Sequence, residues 1–86
     1  MSERTPIEQY VINRVREKRK QKGWTQAEFA SEAGYSYGFI GNVETANGDK
    51  KYNLNNLYRF AKVFGCSIRE FFPEELSEID QLMANK

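Results

Sequence analysis

The side chains of this chain best placed to do chemistry are hydrogen-bonding groups at the starts of helices, not acids, bases or nucleophiles. There is no His and one Cys among 86 residues, which excludes His-based nucleophile systems and most zinc-ligand sets. Glu28, Glu32 and the carboxylates of the tail have the spacing of helix caps and solvated charges, with no nucleophile–base pair beside them. No enzyme activity, metal, cofactor or small-molecule substrate is expected. Thr25, Gln26 and Ser36 stand where helices begin, and the free amides of such a turn offer the positive end of a helix to an anion. Capping alone also accounts for the Thr25 and Ser36 hydroxyls.

These groups depend on the stretch TQAEFASEAGYSYGFIGNVE, Thr25 to Glu44, which reads as two short helices and a tight turn. Thr25 and Glu28 form a capping box, and Trp24 with Phe29 forms a hydrophobic staple that fixes the approach of the chain. Gly34 falls where a helix ends in a left-handed residue. Ser36 caps the next helix, with Tyr35 and Ile40 as a second staple. The helices are expected at about 26–33 and 37–46. Two helices joined so closely cannot bury both apolar faces alone, so the flanks must supply the rest of the core.

The flanks read as helices too. Thr5-Pro6-Ile7-Glu8 is a capping box with Pro at the first helical position. Ile7, Val11 and Val15 recur every fourth residue, and Lys22-Gly23 closes a helix at about 6–22. Its second half, RVREKRKQK, carries six basic residues against one Glu, a pattern that a solvated face also explains. Asn47-Gly48 ends the third helix, and GDKKYN makes a loop. Asn53 caps a fourth helix striped by Leu54, Leu57, Phe60, Ala61 and Phe64 before Gly65. Ser67-Ile68-Arg69-Glu70 reads as a further capping box opening a short fifth helix. Pro73 starts a sixth, acidic segment with Leu76, Ile79, Leu82 and Met83 on one face. That stripe either packs on its own domain or meets its copy in a second chain.

The composition sets the outer bounds. The length allows one small domain, and twelve aromatics (six Phe, five Tyr, one Trp) can fill its core. No apolar run approaches a membrane span and no signal-peptide core follows the N-terminus. The lone Cys66 cannot make an internal disulfide, which fits a reducing cytoplasm. The net charge is +1, unevenly spread. Residues 1–65 hold eleven basic and seven acidic residues, a net +4, whereas residues 66–86 hold two and five, a net −3. A weakly basic body with an acidic tail is mild support for a nucleic-acid partner.

Several features together carry a resemblance: Gln26 opening a helix, small Ala30 and Ala33, Gly34 in the turn, and Ile40-x-x-Val43-Glu44 closing the next helix. From about Val11 to Phe72 the chain resembles the lambda-repressor/Cro-like (XRE) group of helix-turn-helix regulators. The resemblance implies an all-α fold, a compact five-helix DNA-binding domain over residues 1–72. Residues 73–86 add an acidic C-terminal helix, a candidate dimerisation segment. It also implies a transcriptional regulator of double-stranded DNA, with a recognition helix at about 36–46 in the major groove and a homodimer on a palindromic site. Mapped by position, Tyr37, Gly38, Gly41 and Asn42 are the base-facing set, Asn42 being suited to adenine N6 and N7. Thr25, Gln26, Ser36, Lys50, Lys51, Tyr52 and Asn53 fall where the family touches phosphates. Arg19 and Glu44 occupy the positions of a structural ion pair, a geometry that a guanidinium fork can make bidentate.

Gly38 and Gly41 depart from the long polar readers of the family, and two readings follow. Bare backbone lets the helix lie deeper in the groove, or this face reads little and specificity rests on DNA shape. An alternative function on the same fold is a protein-binding module, an antitoxin-like subunit or adaptor using Phe39 and the C-terminal stripe.

Overall fold

The computed structural model describes residues 3–46 and 48–84 of the chain. Asn47, expected to help end the third helix, and the side chain of Met83 lie outside the described residues. Five α-helices and one 3-10 turn make up the rest, with no strand among the described residues. In order they are α1 (Pro6–Gln21), α2 (Gln26–Ala33), α3 (Tyr37–Glu44), α4 (Leu54–Phe64), the 3-10 turn Ile68–Phe71, and α5 (Leu76–Ala84).

The caps set the starts. Thr5, Thr25 and Asn53 each accept the amide three residues on, while Glu8, Glu28 and Asn56 reach back to the amide of the cap. Each such cap contributes about 1 kcal/mol. Gly34 ends α2 at φ 79°, and a Cβ there would also stand 3.3 Å from the Arg59 guanidinium. Both facts favour glycine at the turn.

Phe29 of α2 sits at the centre of the core. Its ring lies 4.8 Å from Phe60 and 5.1 Å from Phe64 between centroids, and Trp24 stacks on Phe29 and Phe64. Val11 and Val15 of α1, Ile40 of α3, Leu57 of α4 and Phe71 of the 3-10 turn close around these rings. A fully buried Phe of this kind is worth about 3–5 kcal/mol against Ala.

Three elements differ from the sequence expectation. Helix α3 stops at Glu44 because Thr45 is extended (φ −66°, ψ 128°) and its hydroxyl donates to the Gly41 carbonyl at 2.7 Å. The fifth helix is a single 3-10 turn. Ser67 accepts the Arg69 amide there instead of closing a box with Glu70, whose carboxylate is taken by Lys18 at 2.6 Å. The C-terminal helix begins at Leu76 instead of Pro73. Its Ile79 is buried, and its Glu78 accepts a hydrogen bond from the Tyr10 hydroxyl of α1 at 3.2 Å. Leu76 and Leu82 of the same helix are exposed, at 76% and 46%.

Candidate nucleic-acid interface

Helix α3 has only eight residues, too few to be stable alone, so its neighbours hold it. Ile40 and Val43 are fully buried beneath it. Glu44, with a side chain 2% exposed, closes the inner face. Arg19 of α1 grips this carboxylate with both arms of its fork, Nε to Oε2 at 2.9 Å and Nη2 to Oε1 at 2.8 Å. The third arm, Nη1, donates to the Trp24 carbonyl at 2.7 Å. From α2, Gln26 adds a hydrogen bond from Nε2 to Glu44 Oε1 at 3.0 Å. One carboxylate thus ties three helices together.

The C-terminal end of α3 is held by Arg4, which lies ahead of α1. It donates from Nη2 to the Val43 carbonyl at 2.6 Å, from Nη1 to Thr45 O at 3.0 Å and from Nε to Lys50 O at 2.8 Å. The last carbonyls of a helix have no partners within it, and here a guanidinium supplies them. Gly48 permits this approach, since a Cβ at that position would lie 3.2 Å from Arg4 Nη2 and from the Thr45 carbonyl.

On the outer side Tyr37 is 61% exposed and Gly38 and Asn42 are exposed as well. A Cβ on Gly38 would meet nothing within 4 Å. Gly41 differs from these three. It is half-buried, and a Cβ there would lie 3.5 Å from Gln26 Oε1. The α2 side chain therefore shares this part of the surface. Ser36 and Thr25 are exposed caps, their hydroxyls accepting the amides of Phe39 and Glu28 at 3.1 Å.

The loop before α4 divides the remaining expected phosphate contacts. Lys50 is exposed. Lys51 is half-buried and ion-paired with Glu8 at 3.2 Å. Asn53 is committed to the cap of α4. Tyr52 departs from the expectation. Its hydroxyl is buried without a hydrogen-bond partner, and its ring meets Phe39 and Phe60 edge-on. Burial raises its phenol pKa, the nearby Glu44 carboxylate adding to the shift. Tyr52 fastens the loop to the core, and its hydroxyl is out of reach of a phosphate.

Two arginines that sequence reasoning did not single out belong to this region. Arg4 precedes the first helix, and no periodicity links it to a carbonyl about forty residues away. Its one trace in the sequence is Gly48, which the notion of a helix stop already explains. Arg59 of α4 lies 5.1 Å from the Tyr35 ring, a cation–π contact at the turn between α2 and α3, where Asn56 also donates to the Tyr35 hydroxyl at 3.0 Å.

A short helix anchored by one face, with polar and bare positions on the other, packed across a capped partner in an all-α bundle, is a helix-turn-helix DNA-binding domain. A helix-turn-helix family model matches residues 15–71. The chain belongs to this XRE-type, lambda-repressor-like helix-turn-helix family of DNA-binding transcription regulators.

The chain is 40% identical over 58 residues to a competence pilus inhibition repressor of Acinetobacter baylyi, a match covering 67% of this chain and 51% of that protein. It thus spans about half the length of that curated relative. Among solved structures it is similar to the restriction-modification controller protein C.AhdI from Aeromonas hydrophila. That likeness has a TM-score of 0.64 at 30% identity and covers 73% of this chain and 92% of that one. It is also similar to a hypothetical transcription factor, NHTF, from Neisseria, with a TM-score of 0.68 at 25% identity over 93% of this chain and 86% of that one. No helix among the described residues is long and apolar enough to cross a membrane.

Proposed function

We propose that the chain is a sequence-specific transcriptional regulator that lays α3 in the major groove of double-stranded DNA and acts in the cytoplasm. The observation that carries this reading is the two-sidedness of α3. Ile40, Val43 and Glu44 anchor it, while Tyr37, Gly38 and Asn42 are left to solvent. Asn42 reads an adenine edge, and Tyr37 meets a thymine methyl or a phosphate. The first amides of α2 and α3, beside Thr25 and Ser36, receive phosphates, and Lys50 meets the backbone beyond α3. Leu76 and Leu82, exposed on α5, support a homodimer, and a two-fold dimer suits half-sites one helical turn apart.

Selection of bound sequences from a random duplex pool tests the proposal. An enriched palindrome is expected. Asn42→Ala should relax one base of it by about 1–3 kcal/mol, and Lys50→Ala should weaken all sequences alike and reduce the salt slope by about 0.9. A folded protein that binds no duplex at low ionic strength would sink the proposal and leave the adaptor reading in its place.

A further inference from the structure

We infer that Arg16 of α1 clamps a DNA phosphate, so that the first helix holds the duplex backbone together with α2 and the loop after α3. This rests on the proposed placement of α3 in the major groove.

The basic half of α1 is not one uniform face. Arg19 turns inward to Glu44. Arg14 donates from Nε to the Glu70 carbonyl at 3.1 Å, and Lys18 holds the Glu70 carboxylate, so these two side chains serve the 3-10 turn. Arg16 leans the other way, towards the junction of α1, α2 and α3. Its Nε lies 4.0 Å from Glu44 Oε1, the oxygen that already takes Arg19 Nη2 at 2.8 Å and Gln26 Nε2 at 3.0 Å. Arg16 and Gln26 therefore flank one carboxylate oxygen. A separation of 4.0 Å is past hydrogen-bonding reach, and this approach is made by Nε, which leaves both terminal nitrogens for another partner. The Arg16 side chain is 48% exposed, against 9% for Arg19 and 2% for Glu44.

The charges at this junction do not cancel. Arg19 alone balances Glu44, so the positive charge of Arg16 is in excess there. Glu17, the acid next to it in the chain, is paired with Arg14 instead. Lys20 lies one turn further along the same face and is exposed, and like charges four residues apart work against a helix. An anion beside Arg16 would relieve both effects. With α3 in the groove that anion is a backbone phosphate, because Gln26 opens α2, where the family resemblance places a phosphate contact. A guanidinium fork can give two parallel N–H bonds to two phosphate oxygens, a geometry that Lys lacks.

The test is duplex binding from about 50 to 200 mM salt, the range over which phosphate contacts are lost, on the sequence that the wild type selects. The proteins are the wild type, Arg16→Ala, Arg16→Gln, Arg16→Lys and Arg14→Ala, each checked for folding by thermal denaturation. Arg16→Gln removes the charge while keeping a long polar side chain, should the Ala variant fold poorly. Arg16→Ala and Arg16→Gln should each reduce the salt slope by about 0.9, so that over this range they lose about threefold less affinity than the wild type does. Their base preferences should stay as they were. Arg16→Lys should restore the slope, and Arg14→Ala, which loses the same formal charge on the side of the 3-10 turn, should keep it. An unchanged slope in the uncharged Arg16 variants, with or without a lower melting temperature, would overturn the inference and leave groove reading intact. So would an equal fall in Arg14→Ala, which would make the effect one of net charge. A folded wild type without salt-dependent duplex binding would overturn groove reading itself, and this inference with it.

Discussion

A carboxylate shut away from water is stable only while its partners are in place, and at Glu44 those partners are Arg19 and Gln26, with the Arg16 guanidinium farther off at 4.0 Å. Arg19→Ala should cost about 3–5 kcal/mol, because it strands a buried charge; urea unfolding measures the loss, and a change under about 1 kcal/mol would contradict the role. Tyr52 is the opposite case, a buried hydroxyl with nothing to bond. Tyr52→Phe should stabilise the fold by about 1 kcal/mol. The pH dependence has a definite sign. The phenol is raised from its ordinary value of 10.0, so its contribution is full below that value and lost as the pH climbs past it. Urea midpoints of the wild type should therefore fall more steeply above pH 10 than those of Tyr52→Phe. Neither feature is legible from spacing. Arg19 and Glu44 stand 25 positions apart and are linked in the sequence only through resemblance to a family. Tyr52 lies in a loop, where no periodicity separates an inward ring from an outward one.

At the level of elements, helix starts are the most readable feature, since a capping box lies within four consecutive residues. Thr5, Thr25 and Asn53 open helices for that local reason. Ends set from a distance are not readable: α3 stops where Arg4 meets its carbonyls, and the Ser67 turn tightens while Lys18 holds Glu70. The outward set Tyr37, Gly38 and Asn42 follows from the amphipathic pattern of α3, whereas the nearness of Gly41 to Gln26 depends on how two helices cross. Arg4→Ala should lower stability by about 1–2 kcal/mol and speed hydrogen exchange in the loop from Lys50 to Asn53; unchanged exchange there would mean that Arg4 does not brace it. The start of α1 carries a pH signature. The Thr5 amide, helped by Lys51 and opposed by partial burial, holds the Glu8 carboxyl below its usual 4.5. Its stabilising contribution is full above that value and lost as the pH falls through the depressed one. An NMR titration of the Glu8 carboxyl should place its midpoint below that of an unstructured Glu, and Glu8→Gln should flatten this part of the acid limb.

For the whole molecule, the apolar surface left on α5 matters most. Leu76 and Leu82 face solvent while Ile79 of the same helix is buried, an arrangement that a second copy would complete. Sedimentation should find a dimer at micromolar concentration for the wild type and a folded monomer for Leu76→Asp with Leu82→Asp; a wild type that remains monomeric when bound to its selected duplex would remove the two-fold site. The carboxylate under α3 has a last consequence, for how such a regulator acquires a new target. Tyr37, Gly38 and Asn42 are exposed on α3, so substitutions there should drift at small cost to the fold. Gln26 is answerable to Glu44, and through it to Arg19, so its identity is bound to the integrity of the fold. Relatives sharing the Arg19–Glu44–Gln26 triad should vary at the outer positions of α3 long before they vary at these three.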